Sequence, residues 1–416
     1  MQSEFEKNLE KYAEVIVKVG LNIQPGQRLV IGPPYGFLGT ELETAPLVRL
    51  IAAKAYQAGA RLVDVMWNDE QLEIIRLQYA PRDSFEEYPS WRAEAAIEAA
   101  KAGDALLLLI SPNSDLFADQ DQELMGKTDG IGRRCMKPFM DLRGKRAMNF
   151  VMAAAPIKGW ADKVFPDLSP VDRLAQFWET VFEFCRVDQP DPVSAWKEHN
   201  ADLQVRRDYL NSKQYTGLHM TTSGTDLRLG LPIGHIWIAG SDFTQSGIEH
   251  YANFPTEEIF TMPHKDLVDG FVTQTTPHPW VEGLVLTFSK GKVVKATAKE
   301  GEELVHQGLE VDDGAQQLGE VALVPNSNPI SRSGRIYYNL LFDENASCHL
   351  ALGNAYRFCI ENGEEMSLEE FLDAGGNNSQ VHKDFMIGSE EMDVDGIRDD
   401  GSAEPIMRGG EWAFDV

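Results

Sequence analysis

The chain has 416 residues, of which 38 are basic and 65 are acidic, so its formal net charge at neutral pH is −27. Such a charge would repel a phosphate backbone or an anionic lipid surface, which argues against nucleic-acid and membrane partners. The hydrophobic share of 43% is that of a folded globular protein. The length exceeds what one hydrophobic core usually supports, which predicts two domains.

The sequence also predicts a cytoplasmic location. The first 21 residues read as an amphipathic helix carrying charges throughout, unlike a secretory signal. The longest apolar run, Ala105–Ile110, is far too short to span a bilayer. The four cysteines form no CxxC pair, and in so long a chain they indicate free thiols rather than a disulfide framework.

Strand-like and helical segments alternate in the first half of the chain. After the opening helix, the predicted elements are a strand at Arg28–Gly32 ending at a Gly-Pro-Pro turn, a helix at Ala45–Ala58, a strand at Arg61–Trp67, a helix at Ala93–Gly103, a strand at Asp104–Pro112, a strand within Arg143–Ala155 and a helix within Pro170–Val187. This alternation is typical of an α/β domain with a mostly parallel sheet covered by helices. No glycine-rich phosphate-binding motif follows a strand, so we predict a scaffold domain over residues 1–190.

A Pro- and Asp-rich stretch, Asp188–Ser194, predicts the boundary between the two domains. Beyond a helix at Ala195–Asn211, the pattern changes to shorter strands punctuated by Gly and Pro. A hairpin is predicted within Glu282–Ala298, with its turn at Ser289–Lys292. Residues 302–319 are expected to be at least partly helical. We therefore predict a catalytic α+β domain, residues 191–416, that carries the metal site.

The candidate site begins with an H-x-D pattern. Side chains two residues apart in a strand face the same way, so His382 and Asp384 would place an imidazole beside a carboxylate. Nitrogen and oxygen ligands of this kind suit a divalent metal. Two further carboxylates lie in apolar, strand-like runs, where burial is costly unless a positive charge meets them. We predict one metal site assembled from distant segments, with the candidate ligands Glu258, Glu320, Glu344, His349, His382 and Asp384.

Each of these residues taken alone also fits an ordinary structural role. A histidine in apolar surroundings is more often a hydrogen-bonded core residue, and a loop carboxylate is more often solvated. Glu257 and Glu258 are adjacent, so we expect only one of them to face inward on a strand. For the same reason, Cys348 is expected to face away from its neighbour His349, which argues against a thiol–imidazole pair. Tyr356 is ordinarily a core aromatic residue.

Longer motifs carry a family resemblance. The segments NFPTEEIFTMP, LGEVALVP, FDENASCHLALGNAY and NNSQVHKDFMIGSEEMDVDGI, and the closing G-x-W, resemble the M29 metalloaminopeptidases of the aminopeptidase T and aminopeptidase S type. The resemblance covers most of residues 220–416. It implies a cocatalytic pair of zinc, cobalt or magnesium ions, peptide substrates with a free amino terminus, and a homodimer.

The resemblance also assigns roles by position. The six candidate ligands fall on the ligands of the family, with Glu258 rather than Glu257 matching the first. Tyr356 falls on the active-site tyrosine that would stabilise the tetrahedral intermediate. Glu320 is predicted to act in catalysis, either as general base or as a ligand that bridges both ions. Lys383 departs from the family pattern, and strand alternation is expected to turn it away from the metals.

Two other functions remain open from the sequence. A metal-dependent amidohydrolase acting on a non-peptide amide would use the same ligands. The second alternative is a non-catalytic binding protein that the metal stabilises. Structural zinc sites usually contain cysteine ligands, and the candidate set contains none, which argues against this alternative. A serine hydrolase has less support, because no G-x-S-x-G motif occurs.

Overall fold

The computed structural model describes residues 2–32, 40–277 and 281–416, and the side chain of Ser114 is left out. The α-helices are α1 Glu4–Val15, α2 Ala45–Gln57, α3 Glu70–Tyr79, α4 Ser90–Lys101, α5 Gln122–Gly144, α6 Lys158–Val164, α7 Arg173–Phe184, α8 Pro192–Lys213, α9 Glu302–Leu309, α10 Pro329–Arg332, α11 Leu340–Asp343 and α12 Leu368–Asp373. No helix in the described ranges combines the length and the apolar composition needed to cross a membrane.

The strands are β1 Arg28–Ile31, β2 Thr40–Glu41, β3 Leu62–Val65, β4 Trp67–Asn68, β5 Ala105–Ile110, β6 Phe150–Ala154, β7 Gly217–Thr222, β8 Thr225–Gly230, β9 Ile238–Ala239, β10 Asp242–Phe243, β11 Glu249–His250, β12 Asn253–Phe254, β13 Ile259–Thr261, β14 Val268–Thr273, β15 Val285–Ser289, β16 Lys292–Thr297, β17 Leu318–Leu323, β18 His349–Gly353, β19 His382–Met386, β20 Asp393–Ile397, β21 Ala403–Arg408 and β22 Glu411–Trp412.

The chain divides into two compact units. The first comprises Met1–Glu198 and Ser241–Pro255, and the second comprises His199–Gly240 and Thr256–Val416. The division thus falls inside α8, and one short later segment belongs with the first unit. The assignment of a scaffold role to residues 1–190 and a catalytic role to residues 191–416 stays a prediction.

The first unit contains a parallel five-stranded sheet in the order β12-β6-β5-β1-β3. All six residues of the central strand Ala105–Ile110 are buried, as expected for a strand covered on both faces. The predicted parallel sheet of the amino-terminal half is therefore confirmed. The short edge strand β12 comes from the later segment, an arrangement that no local pattern indicated.

Local sequence signals account for many of these boundaries. Ser3 and Glu6 form a capping box at the start of α1. Gly59 has φ +98° just beyond α2, a left-handed conformation that favours glycine after a helix. The Gly-Pro-Pro turn predicted after β1 includes Pro33 and Pro34, which lie outside the described residues.

One region of the first unit differs from the prediction. Within the stretch Arg143–Ala155, helix α5 continues to Gly144 and the strand begins only at Phe150. The 23-residue helix itself was missed, because it contains four glycines and Pro138, which read as helix breakers. Its buried face, which includes Met136 and Phe139, holds the helix in place despite that composition.

The second unit contains two antiparallel sheets. One has eight strands in the order β16-β15-β14-β8-β7-β20-β21-β22, and the other has five in the order β19-β18-β17-β13-β9. The predicted hairpin is present as β15 and β16, with Lys290 and Gly291 at positive φ in its turn. The mixture of antiparallel sheets and short helices agrees with the predicted α+β character of this half.

The five-stranded sheet, here called the site sheet, has two chemically different faces. One face packs into a hydrophobic core shared with the eight-stranded sheet and contributes Ile259, Val321, Leu323, Leu350, Leu352 and Phe385. Because side chains alternate along a strand, the residues between these project from the opposite face. That opposite face carries the candidate metal ligands.

Candidate metal centre

Distant segments converge because neighbouring strands of the site sheet pair in register. Ala322 of β17 lies opposite His349 of β18, which places His349 on the same face as Glu320, two residues before Ala322. On the next strand, Gly353 lies opposite His382, and Ala351 lies opposite Asp384. Glu258 immediately precedes β13, the strand on the other side of β17. Pairing between strands thus brings five of the six predicted ligands to one face.

The distances between these side chains define two groups that share one residue. Nε2 of His349 lies 3.2 Å from Oε2 of Glu258 and 3.5 Å from Oε1 of Glu320. Nε2 of His382 lies 3.4 Å from Oε2 of Glu320 and 3.4 Å from Oδ1 of Asp384. In each group the ligand atoms all lie within 4.8 Å of one another. Glu320 belongs to both groups and presents a different oxygen to each imidazole.

Hydrogen bonds to the backbone fix both imidazole rings. Nδ1 of His349 lies 3.0 Å from the carbonyl oxygen of Ser347, and Nδ1 of His382 lies 2.7 Å from that of Asn354. A carbonyl oxygen only accepts, so Nδ1 carries the proton in each ring. In the neutral imidazole, the lone pair is then on Nε2, the atom that faces the carboxylates. This orientation is the one that metal-binding histidines adopt.

Without a cation, the charges of the cluster perturb one another strongly. Burial raises the pKa of Glu258, and hydrogen bonding to His349 only partly opposes that effect. Burial alone would lower the pKa of both histidines. Glu258 and Glu320 more than reverse this for His349, and Tyr356, Asp384 and Glu320 do so for His382, so the pKa of each lies well above its ordinary value. Burial would likewise raise the pKa of Glu320, yet the hydrogen bonds from His349 and His382 lower it to about 2. His349 and His382 therefore bind protons more readily than isolated imidazoles do.

The donor set fits divalent metal ions. In the part of the chain that the structure describes, no lysine or arginine forms an ion pair with Glu258, Glu320 or Asp384. Burying a charge costs on the order of several kcal/mol, so these carboxylates require positive charge beside them, which either the protonated histidines or metal ions supply. When all are ionised, these three carboxylates and Glu344 would carry four negative charges, which two dications would neutralise while the imidazoles stay neutral. Oxygen and nitrogen donors without cysteine are compatible with zinc, cobalt or magnesium.

Two predicted site residues lie beside the two groups rather than within them. Glu344 is half-buried, and its pKa is raised well above the ordinary value by burial and by the charges of Glu258 and Asp384. The ring of Tyr356 lies 5.1 Å from the ring of His382, measured between centroids. Both residues therefore adjoin the candidate centre.

The expectation that only one of two adjacent glutamates faces inward was wrong. Glu257 is 5% exposed and Glu258 is 7% exposed. They do point in different directions, because Oε2 of Glu257 lies 3.6 Å from Nε2 of His199, whereas Glu258 approaches His349. The segment is packed on both sides, so alternation of side chains does not expose either of them.

Alternation does separate the other adjacent pairs as predicted. Cys348 lies in the hydrophobic core, and its thiol contacts the backbone of Val324, on the side of the sheet away from the centre. Lys383 is exposed, and its Nζ lies near Gly308 of α9. Neither residue competes with the candidate ligands.

Sequence reasoning missed a supporting residue, Asn345. It is fully buried, and its Oδ1 accepts a hydrogen bond of 2.7 Å from the backbone N–H of Glu257. Its Nδ2 donates to the carbonyl oxygen of Leu341 at 3.1 Å. Asn345 thus ties the segment that carries Glu258 to the segment that carries Glu344. Its position next to Glu344 was visible in the sequence, but its partner 88 residues away was not.

A buried cluster of carboxylates and imidazoles on one face of a sheet is typical of metal-dependent enzymes, and comparison with known proteins identifies which kind. Residues 5–412 match the family model described as thermophilic metalloprotease (M29). The chain therefore belongs to the M29 family.

Relatives with established names support this assignment. The chain is 45% identical to Aminopeptidase 2 of Geobacillus stearothermophilus and 39% identical to Aminopeptidase T of Thermus thermophilus, with 98% or more of each chain covered. The structure is similar to that of wild-type AmpT from Thermus thermophilus, with a TM-score of 0.91, 38% identity, and coverage of 99% of this chain and 100% of that one. The predicted family and enzyme class, a metal-dependent aminopeptidase, are confirmed.

Proposed function

We propose that the enzyme removes amino-terminal residues from peptides with a pair of divalent ions held by the two groups described above. Glu258 and His349 would hold one ion, and His382 and Asp384 would hold the other. Glu320 would bridge them. The observation that carries this proposal is that each oxygen of Glu320 faces a different imidazole. We therefore assign Glu320 to the bridge rather than to the general base.

The remaining assignments follow from the family resemblance and agree with the positions of the side chains. Glu344 would complete the ligand set. Tyr356, which packs beside His382, would donate its hydroxyl proton in a hydrogen bond to the oxygen that becomes negative during attack on the peptide carbonyl.

When bound, divalent ions would polarise the scissile carbonyl and lower the pKa of a water molecule. The protein itself positions the atoms that would bind the ions. The hydrogen bonds from Nδ1 of both histidines orient Nε2, and strand pairing in the site sheet places the carboxylates around it. The formal net charge of −27 on the whole chain would also attract the ammonium group of a free amino terminus, a group that an amidohydrolase would not require.

Metal removal and reconstitution test this proposal. Dialysis against a chelator should abolish hydrolysis of leucine p-nitroanilide, and added Zn²⁺ or Co²⁺ should restore it with two ions bound per chain. The N-acetylated substrate should not be cleaved. Glu320→Gln should bind fewer than two ions. Full activity in the metal-free protein, or cleavage of the acetylated substrate at a similar rate, would contradict the proposal.

Two further features are proposed from the family resemblance and the sequence, namely a homodimer and a cytoplasmic location. Light scattering coupled to size exclusion would test the first, and fractionation of the source cells would test the second.

A further inference from the structure

Three half-buried aromatic rings, from Phe260, Tyr356 and Phe358, adjoin the candidate metal centre. We call them the aromatic wall. The rings of Tyr356 and Phe358 are stacked, with centroids 5.1 Å apart and planes at 12°. Phe260 meets both edge-on, at 6.2 and 6.4 Å. Because the ring of Tyr356 also lies 5.1 Å from that of His382, the aromatic wall begins directly beside a predicted ligand.

The sheet register places Phe260 on the same face as the ligands. Phe260 follows Glu258 by two residues, and it lies opposite Ala322, which in turn lies opposite His349. On its other side Phe260 lies opposite Ile238. One row across the site sheet thus runs from apolar side chains to a predicted ligand, with only the small side chain of Ala322 between them.

The aromatic wall packs against buried side chains on the side away from solvent. It packs on a separate hydrophobic cluster that consists of Met262, Ala355, Cys359, Ile360 and Phe371. Arg357 lies between Tyr356 and Phe358 in sequence, and its guanidinium contacts other residues of the protein. It donates to the carbonyl oxygens of Gly363 and Met366, and it lies 4.8 Å from the centre of the Phe371 ring. The wall residues therefore present an apolar surface beside the candidate metal centre.

We propose that the aromatic wall contacts the side chain of the first residue of the substrate and selects aromatic and branched aliphatic residues over small and charged ones. This inference rests on the proposed aminopeptidase function. A side chain next to the scissile bond must lie within a few ångströms of the reacting atoms, and the wall adjoins them on one side. Apolar side chains gain by leaving water there, whereas an ionised side chain would lose its hydration without a partner. Phe260 and Phe358 are the specificity-determining residues.

Truncation of Phe260 or Phe358 should change the ratios of kcat/KM between substrates rather than lower kcat/KM equally for all of them. The wild-type enzyme should show a kcat/KM for leucine and phenylalanine p-nitroanilides at least about 10-fold above that for the alanine compound, since an apolar contact of this size is worth about 10- to 200-fold. Phe358→Ala and Phe260→Ala should each lower the values for leucine and phenylalanine about 10-fold or more, and change the value for alanine less than about 3-fold. Phe358→Leu should restore part of the leucine selectivity.

Phe271→Ala is the matched control. Phe271 lies on the eight-stranded sheet and is 44% exposed, so the same truncation there should leave all ratios unchanged. Circular dichroism and bound metal, measured for every variant, identify any that fail to fold, and Phe358→Leu then provides the test.

The outcomes separate this inference from the proposed function. Equal losses on all substrates in a folded, metal-loaded Phe358 variant would overturn the wall as a selectivity device. A wild-type preference for the alanine or glutamate compound would overturn it as well. Chelator-insensitive activity would instead refute the proposed function, whatever the wall variants show.

Discussion

Two adjacent glutamates offer a sharp test of the metal centre. Glu257 and Glu258 are adjacent in the chain and almost equally buried. Glu257→Gln and Glu258→Gln therefore make the same chemical change in sites of nearly equal solvent exposure. Only Glu258 lies in a group with Glu320 and His349, whereas Glu257 pairs with His199 at 3.6 Å.

Glu258→Gln removes one of four negative charges that would neutralise two dications. Metal ions supply several kcal/mol of transition-state stabilisation. Loss of about 4 kcal/mol corresponds to a fall of roughly 10³-fold in kcat/KM. We therefore expect Glu258→Gln to bind fewer than two ions per chain and to lose about three orders of magnitude in kcat/KM.

Glu257→Gln should keep both ions and stay within about 3-fold of the wild-type kcat/KM. It should lower the free energy of unfolding by about 1–3 kcal/mol, because the buried pair between the Glu257 carboxylate and His199 is altered. Elemental analysis after exhaustive dialysis, kinetics with leucine p-nitroanilide and urea unfolding provide the readouts. If the two variants lost metal and turnover equally, or if Glu257→Gln alone lost them, the assignment of Glu258 would be refuted.

Three further predictions address residues around the centre and away from it. Tyr356→Phe should lower kcat about 10²-fold with little change in KM, because a donor to a developing oxyanion is worth about that much; an unchanged kcat would remove Tyr356 from the mechanism. Asn345→Ala should reduce the free energy of unfolding of the metal-free protein by about 1–3 kcal/mol, because it leaves buried backbone groups without their partner. It should also weaken Zn²⁺ binding, measured in competition with a chromogenic chelator. Unchanged metal affinity would limit Asn345 to a purely structural role. Glu404, bound by Lys213, Arg398 and Tyr215, has its pKa lowered to about 2 from 4.5. Its contribution to stability is therefore present above about pH 4.5 and is lost as the pH falls toward 2, so Glu404→Gln should cost about 1 kcal/mol at pH 7 and progressively less at lower pH; a cost that grew on acidification would contradict this.

Local patterns predicted much of the architecture. The alternation of strands and helices indicated the parallel sheet, and the periodicity of two along β18 and β19 separated His349 from Cys348 and paired His382 with Asp384. These inferences succeeded because they depend on covalent geometry and on nearest neighbours, which any strand imposes. The candidate ligands were named from their chemistry, but the expectation that they converge depended on the family resemblance, since spacing alone cannot bring distant residues together.

Other features depend on contacts between segments far apart in the chain. The pairing of β13, β17, β18 and β19 decides that Glu258 and His349 lie 3.2 Å apart and that Glu320 faces both imidazoles. Packing on both sides buries Glu257 as well as Glu258, and it keeps α5 helical despite Pro138. The sequence by itself thus determined which side chains share a face of each element. Only the tertiary structure decided which faces meet, because burial and pairing between strands are set by the whole chain.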